Sequence, residues 1–202
     1  MAFEITKELL GNVALYVENG NNNALIELFE EMHYADIAEV IEDISFDDAV
    51  YIIKLLDSET TSDILIELDE DIREKIFEQL SAKEIAEEVE ELDSDDAADI
   101  IGELPEERQE AVMSQIEDEE HVKEIEELLS YDENSAGGLM AKELVSVNEN
   151  WNVLKCVKEM RIQAEEVTRV HSIYVVNDAG QLKGRLSLKD LLVASTRTHI
   201  SE

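Results

Sequence analysis

Residues 33–128 repeat, and this repeat limits the fold more than any other feature of the chain. At an offset of 48, Ile37 falls on Ile85, Ala38 on Ala86, Ile44 on Leu92, Asp47 on Asp95, Asp48 on Asp96, Ala49 on Ala97, Ile52 on Ile100 and Leu56 on Leu104. A half-period of 24 is visible in the apolar residues alone. Positions 29, 53, 77, 101 and 125 read Phe, Ile, Phe, Ile, Ile; positions 44, 68, 92 and 116 read Ile, Leu, Leu, Ile; positions 32, 56, 80, 104 and 128 read Met, Leu, Leu, Leu, Leu. Inside each unit the apolar residues recur at helical spacing, as in Ile52, Ile53 and Leu56. Breaks fall at Ser45, Ser58, Ser81, Ser94 and Pro105, residue types that start helices. Each 24-residue unit therefore reads as two short helices. One such unit cannot bury its apolar face alone, so the units must stack into a superhelix.

Charge separates this module from the rest. Residues 1–138 carry 43 acidic and 7 basic side chains, whereas residues 139–202 carry 8 and 9. Such asymmetry marks two modules. The acidic one repels phosphate backbones, which argues against nucleic acid as a partner, and attracts cations. A solvated acidic helical surface accounts for the charge equally well. The whole chain has 202 residues, 44% apolar, with 5% aromatic residues and one proline, a profile that fits helices rather than an all-β fold. No apolar run reaches the length of about 18 residues that crosses a bilayer. The start, MAFEITKELL, lacks the order of a signal peptide. The single cysteine, Cys156, has no partner for an internal disulfide, as expected in a reducing cytosol.

After Glu133 the pattern changes. Residues 134–140, NSAGGLM, form a glycine-bearing break. WNVLKCVKEMRIQ then reads as an amphipathic helix, HSIYVVN as a strand, Asn177 to Gly180 as a turn, LKGRLSL as a second strand and KDLLVAS as a helix. That order is the order of a CBS motif. The run Gly184-Arg185-Leu186-Ser187-Leu188-Lys189-Asp190 resembles the glycine, apolar pair, Ser/Thr and Asp signature of that family, with Arg185 standing where an apolar residue is usual. Only one motif is present, although such motifs normally pair. Strand edges left without a partner tend to find one on another chain.

Together, LDSDDAADIIGELPEE, the stretch YDENSAGGLM and the following motif resemble the cytosolic part of MgtE-type magnesium transporters, over about residues 30–202. The resemblance implies a mainly α fold: a right-handed helical-repeat superhelix followed by an α/β CBS motif. It implies an acidic N-domain over 1–130, a linker with SAGGLM over 131–150 and a first CBS motif over 151–202. In that family Mg²⁺ bound between the N-domain and the CBS pair holds a dimeric membrane pore shut. The second CBS motif, the connecting helix and the pore are not in this sequence. The expected partners are thus the membrane pore domain of the same full-length protein and a second copy through the CBS half, on the cytoplasmic side of the cell membrane.

Asp95 and Asp99 are four residues apart, so on a helix they share a face about 6 Å apart, a like-charge arrangement that a hard cation would reverse. Capping explains Asp95, whose repeat equivalents are Asp47 and Asp71. It does not explain Asp99, whose equivalents are Tyr51, Lys75 and Lys123. The resemblance assigns Asp95 and Asp99 to Mg²⁺, other divalent cations being possible occupants. Asp96 reads as a solvated helix-start residue. Gly137 and Gly138 offer backbone carbonyls to a cation, as the resemblance implies, or a tight turn needing positive φ. Ser187, Lys189 and Asp190 resemble the positions that hold ATP or another adenosine nucleotide in some CBS motifs; a strand-to-helix cap by Ser187 is the alternative. Cys156 reads as a buried core thiol and Trp151 as a packing residue. His33, His121, His171 and His199 lack metal-ligand spacing. No nucleophile–base pairing or phosphate-cradling glycine loop is visible, so nothing in the residues argues for catalysis; the resemblance implies a Mg²⁺-sensing regulatory region, not an enzyme. The competing reading is an acidic helical-repeat adaptor that binds a protein, with a nucleotide-sensing CBS motif.

Overall fold

The computed structural model describes residues 5–132, 134–164, 167 and 172–201. It divides into two compact units, Met1–Gly138 and Leu139–Glu202. Residues 139–150, expected as linker, thus belong to the second unit.

Among the described residues the regular elements of the first unit are all helices: α1 (Lys7–Glu18), α2 (Asn22–Glu30), α3 (Tyr34–Asp43), α4 (Phe46–Ile53), α5 (Ser58–Glu67), α6 (Glu70–Phe77), α7 (Ala82–Val89), α8 (Ser94–Glu103), α9 (Glu106–Met113) and α10 (Glu119–Leu129). From α2 to α9 the helices start at 22, 34, 46, 58, 70, 82, 94 and 106, a constant step of 12; α10 begins one residue late. Several helices start on a side-chain cap. Ser45 Oγ accepts from Asp48 N at 3.2 Å, and Asp57 Oδ1 from Thr60 N at 3.0 Å. Ser81 and Glu84 form a capping box, each side chain accepting from the other's backbone N–H. Two of the expected starts shift by one residue. Asp57 and Asp93 take the cap position, and Ser58 and Ser94 become the first helical residues.

The 24-residue period becomes the core. Phe29, Ile53, Phe77, Ile101 and Ile125 are each at most 2% exposed. Burying such a side chain stabilises a fold by about 1.5–3 kcal/mol, so this one row outweighs any surface interaction in the unit. Packing links helices two apart in sequence: α3 with α5, α5 with α7, α7 with α9, and α8 with α10. The longer period of 48 appears as a polar staple. Glu42 Oε1 accepts from Asp69 N at 2.8 Å, and, 48 residues on, Glu90 accepts from Glu117 N.

The second unit holds β1 (Val145–Asn148), α11 (Val153–Gln163), β2 (Ile173–Val176), β3 (Leu182–Leu186) and α12 (Leu188–Val193). Its sheet order is β1-β2-β3. The β1–β2 pair is parallel, Val145 opposite Ile173, with α11 as the crossover; β2–β3 is antiparallel, Ile173 opposite Leu186. At the turn Asn177 Oδ1 accepts from Ala179 N and Gln181 N, and Gly180 takes φ 74°. The core joins Val145, Val147, Val153, Cys156, Ile173, Val175 and Leu191. Helix, strand, turn, strand and helix follow the expected order; β1 is an addition, and His171, expected to open β2, lies outside the described residues. Among the described residues no helix is long and apolar enough to cross a membrane.

Candidate functional site

α8 turns its apolar side inward through Ala97, Ala98, Ile100 and Ile101, all buried. The same helical period places Asp96 and Asp99, three residues apart, on a wall of a recess of about 470 Å³. Glu70 and Arg73 of α6 and Glu103 at the end of α8 line it too, with Leu128, Tyr131 and Gly138 from the end of the unit. Asp95 is on the same helix and partly exposed, but it is not among the lining residues. Asp99 is exposed.

Asp96 is not the solvated residue expected from the sequence. It is half-buried, and its carboxyl is pushed up to about 6, first by burial and then by repulsion from Asp95, Asp93, Asp99 and Asp63. A half-buried carboxylate under four like charges is a position that a hard cation relieves. The donors offered here are carboxylate oxygens, which suit Mg²⁺ or Ca²⁺ and not a thiolate- or imidazole-preferring metal. The residues present therefore fit a hydrated divalent cation. Asp95, Asp47 and Asp71 are each the second residue of their helices, α8, α4 and α6, so all three sit in a first turn where carboxylates complement the helix dipole.

Gly137 and Gly138 do not take the positive φ of a hinge; among the described residues Gly20 and Gly180 do. Gly137 is instead a close approach, since a Cβ there would stand 2.6 Å from Cγ of Tyr131. Gly138 N donates to Ser135 Oγ at 3.2 Å. In the second unit Ser187 caps α12, accepting from Asp190 N at 3.5 Å, and Ser187, Lys189 and Asp190 are all exposed. Cys156 is fully buried, with burial raising its thiol pKa and its Sγ 3.6 Å from Met160 Sδ. Trp151 carries Lys155 Nζ 4.3 Å above its ring and packs on the core of the second unit. The histidines within reach serve the backbone: His33 Nδ1 accepts from Ala35 N, His121 Nε2 lies 3.2 Å from Val89 O and His199 Nδ1 lies 3.2 Å from Asn150 O.

Sequence reasoning read Asp96 as solvated and did not single out Arg73, Glu103 or Glu70. Only Tyr131 had a signal, as the first residue of the stretch YDENSAGGLM.

A solenoid of short acidic helices, followed in one chain by a three-stranded α/β unit of CBS type, defines a two-module class: a helical-repeat domain joined to a CBS-type domain. Among solved structures, the cytosolic domain of the Mg²⁺ channel MgtE in complex with ATP superposes with a TM-score of 0.86 at 30% identity, covering 95% of this chain and 78% of that one. The chain belongs to the MgtE family: the MgtE intracellular N domain matches residues 32–134 and the CBS domain residues 136–197. The magnesium transporter MgtE of Thermus thermophilus is 44% identical over 72 residues, and that of Enterococcus faecalis 32% identical over 72. The matched stretch is 36% of this chain and 16% of either relative. The soluble part of a magnesium transporter superposes with a TM-score of 0.82 at 24% identity over 96% of this chain and 77% of that one, a likeness of fold.

Proposed function

We propose that this chain is the Mg²⁺-responsive cytosolic regulatory part of a magnesium transporter, and that metal bound at α8 biases a membrane pore domain of the same full-length protein. The carrying observation is the half-buried Asp96 with Asp99 on one wall of an acidic recess. Asp95 and Asp99 are the carboxylate ligands of this reading, Asp96 adds charge beside them, and Gly137 and Gly138 offer backbone carbonyls at the end of the unit. The protein acts as a homodimer through its second unit. The cation supplies positive charge; the chain's own residues supply oxygen donors held at fixed spacing by one helix.

Thermal unfolding with MgCl₂ and with NaCl at equal ionic strength tests this. A ligand that binds only the folded state adds about 2.7 kcal/mol at a hundred times its Kd, so Mg²⁺ should raise Tm well beyond NaCl. Asp99→Ala should remove most of that excess. Asp71→Ala is the control: it removes a first-turn carboxylate worth about 0.3–1 kcal/mol and should spare the Mg²⁺ response. If the two variants behave alike, Asp99 is structural; if Mg²⁺ and NaCl act equally, the acidic adaptor remains.

A second ligand has its own support. A structure 30% identical to this chain is of a complex with ATP, and Lys189 and Asp190 stand exposed at the start of α12 beside the Ser187 cap. We propose an adenosine nucleotide there. Calorimetric titration with ATP should show binding that Lys189→Ala weakens; heat unchanged by Lys189→Ala removes the assignment.

A further inference from the structure

We infer that Arg73 is the built-in counter-ion of the acidic recess: its guanidinium neutralises Glu103 and so sets the net charge that the recess offers to a divalent cation. Arg73 Nε donates to Glu103 Oε2 at 2.8 Å, and Nη2 donates to the other oxygen of the same carboxylate, a two-bonded fork. Nη1 donates to Leu65 O, Ile66 O and Leu68 O at 2.9, 3.2 and 3.2 Å, where α5 ends. The pair is far more sheltered than the Lys54–Glu84 and Lys83–Glu87 pairs of the same unit. Its side chains are 13% and 20% exposed, against 39% and 40% for Lys54–Glu84 and 72% and 52% for Lys83–Glu87.

Holding the helix end does not require a charge. Thirty-six residues further on, Gln109 Nε2 donates to Gly102 O and Leu104 O, the carbonyls equivalent to those of Ile66 and Leu68. A neutral amide does there what Nη1 does at α5. What Arg73 adds is a positive charge on Glu103, inside a recess whose other acidic groups are Glu70, Asp96 and Asp99. In a unit with 43 acidic and 7 basic residues, a cation committed to this position governs the local field. With Arg73 the four carboxylates sum to −3; without it, to −4.

The inference rests on the divalent-cation reading above, and three variants separate the two. Arg73→Gln, which copies Gln109, makes the recess more negative and should tighten Mg²⁺ binding by about three- to tenfold. Glu103→Gln leaves the guanidinium unpaired and should weaken it by a similar factor. The double variant restores the wild-type charge and should bind within about twofold of wild type. All are read by calorimetric titration of the whole chain with MgCl₂ at constant ionic strength, with Tm of the metal-free protein alongside. Both single variants break the same ion pair, so a merely structural role would move them in the same direction. Shifts of the same sign, or none, overturn the inference while wild-type binding keeps the Mg²⁺ reading. Absence of binding in wild type and every variant sinks both. Should Arg73→Gln not fold, Glu103→Gln alone decides, because unchanged or tighter binding contradicts the inferred charge effect.

Discussion

Burial makes Glu88 and Asp96 hold their protons to higher pH than ordinary surface carboxylates do. Glu88, on α7, is pushed up to about 8, first by burial, then by Glu87, Asp57, Glu91 and Glu84. Its Oε2 is buried and meets no hydrogen-bond partner among the described residues. The sign of the linkage follows from proton counting. An unfolded chain releases the Glu88 proton near 4.5, the folded chain near 8, so between these values the folded state binds more protons. Raising pH through that window therefore favours unfolding, and the contribution is gone above about pH 8. Asp96 acts in the same sense between 3.8 and about 6. We expect metal-free stability, measured by urea unfolding, to fall from about pH 5 to pH 8, and Glu88→Gln to flatten the upper part of that slope. An unchanged slope in Glu88→Gln would show that the Glu88 carboxyl titrates normally. The burial of neither residue was legible in the sequence, which left Glu88 unremarked and read Asp96 as solvated. Periodicity ranks positions by their place on one helix, and both carboxylates sit beside inward-facing neighbours, Val89 and Ala97; how far each sinks depends on a helix elsewhere in the chain.

The helices themselves were legible because each depends on signals within its own dozen residues. Apolar spacing sets the buried face, and Ser45, Asp57 and Ser81 set the starts. Errors of one residue arose where Ser followed Asp, since either can cap. β1 went unread because its alternation is only Val145 and Val147 in, Ser146 and Asn148 out, too short to stand apart from a loop. The Arg73–Glu103 fork was hidden for another reason: its ends lie 30 residues apart and in no repeat register. The staples of Glu42 and Glu90 do follow the register, carrying the 48-residue period into hydrogen bonding. A charged acceptor on a backbone N–H contributes about 1.5–3 kcal/mol at its strongest and less at an exposed site. Glu42→Ala and Glu90→Ala should therefore each lower stability by about 0.5–1.5 kcal/mol in urea unfolding. Glu90 Oε1 also accepts from Asp118 N at 3.2 Å, so Glu90→Ala should cost the more of the two; a cost at one site alone would make the other a surface contact without weight.

Stacked units are stabilised by neighbours on both sides, except at the ends. α1 buries Val13 alone among its 12 residues, whereas α8 buries five of ten. Amide hydrogen exchange of the first unit should thus be fastest in α1 and slowest around α5 to α8. Uniform protection from α1 to α10 would mean that the unit opens as one block instead. The constant 12-residue step has a kinetic side as well. The seams α3–α5, α5–α7 and α7–α9 each join helices whose first residues are 24 apart. Closing any one of these seams therefore costs the chain about the same loop entropy, and that cost grows only slowly with loop length. None of these three seams has to wait for a distant partner, so ordering can begin at any of them and spread both ways, as in a zipper with many starting teeth. A chain built this way can emerge from synthesis and order each pair of helices as the next appears, without first exposing the whole apolar row.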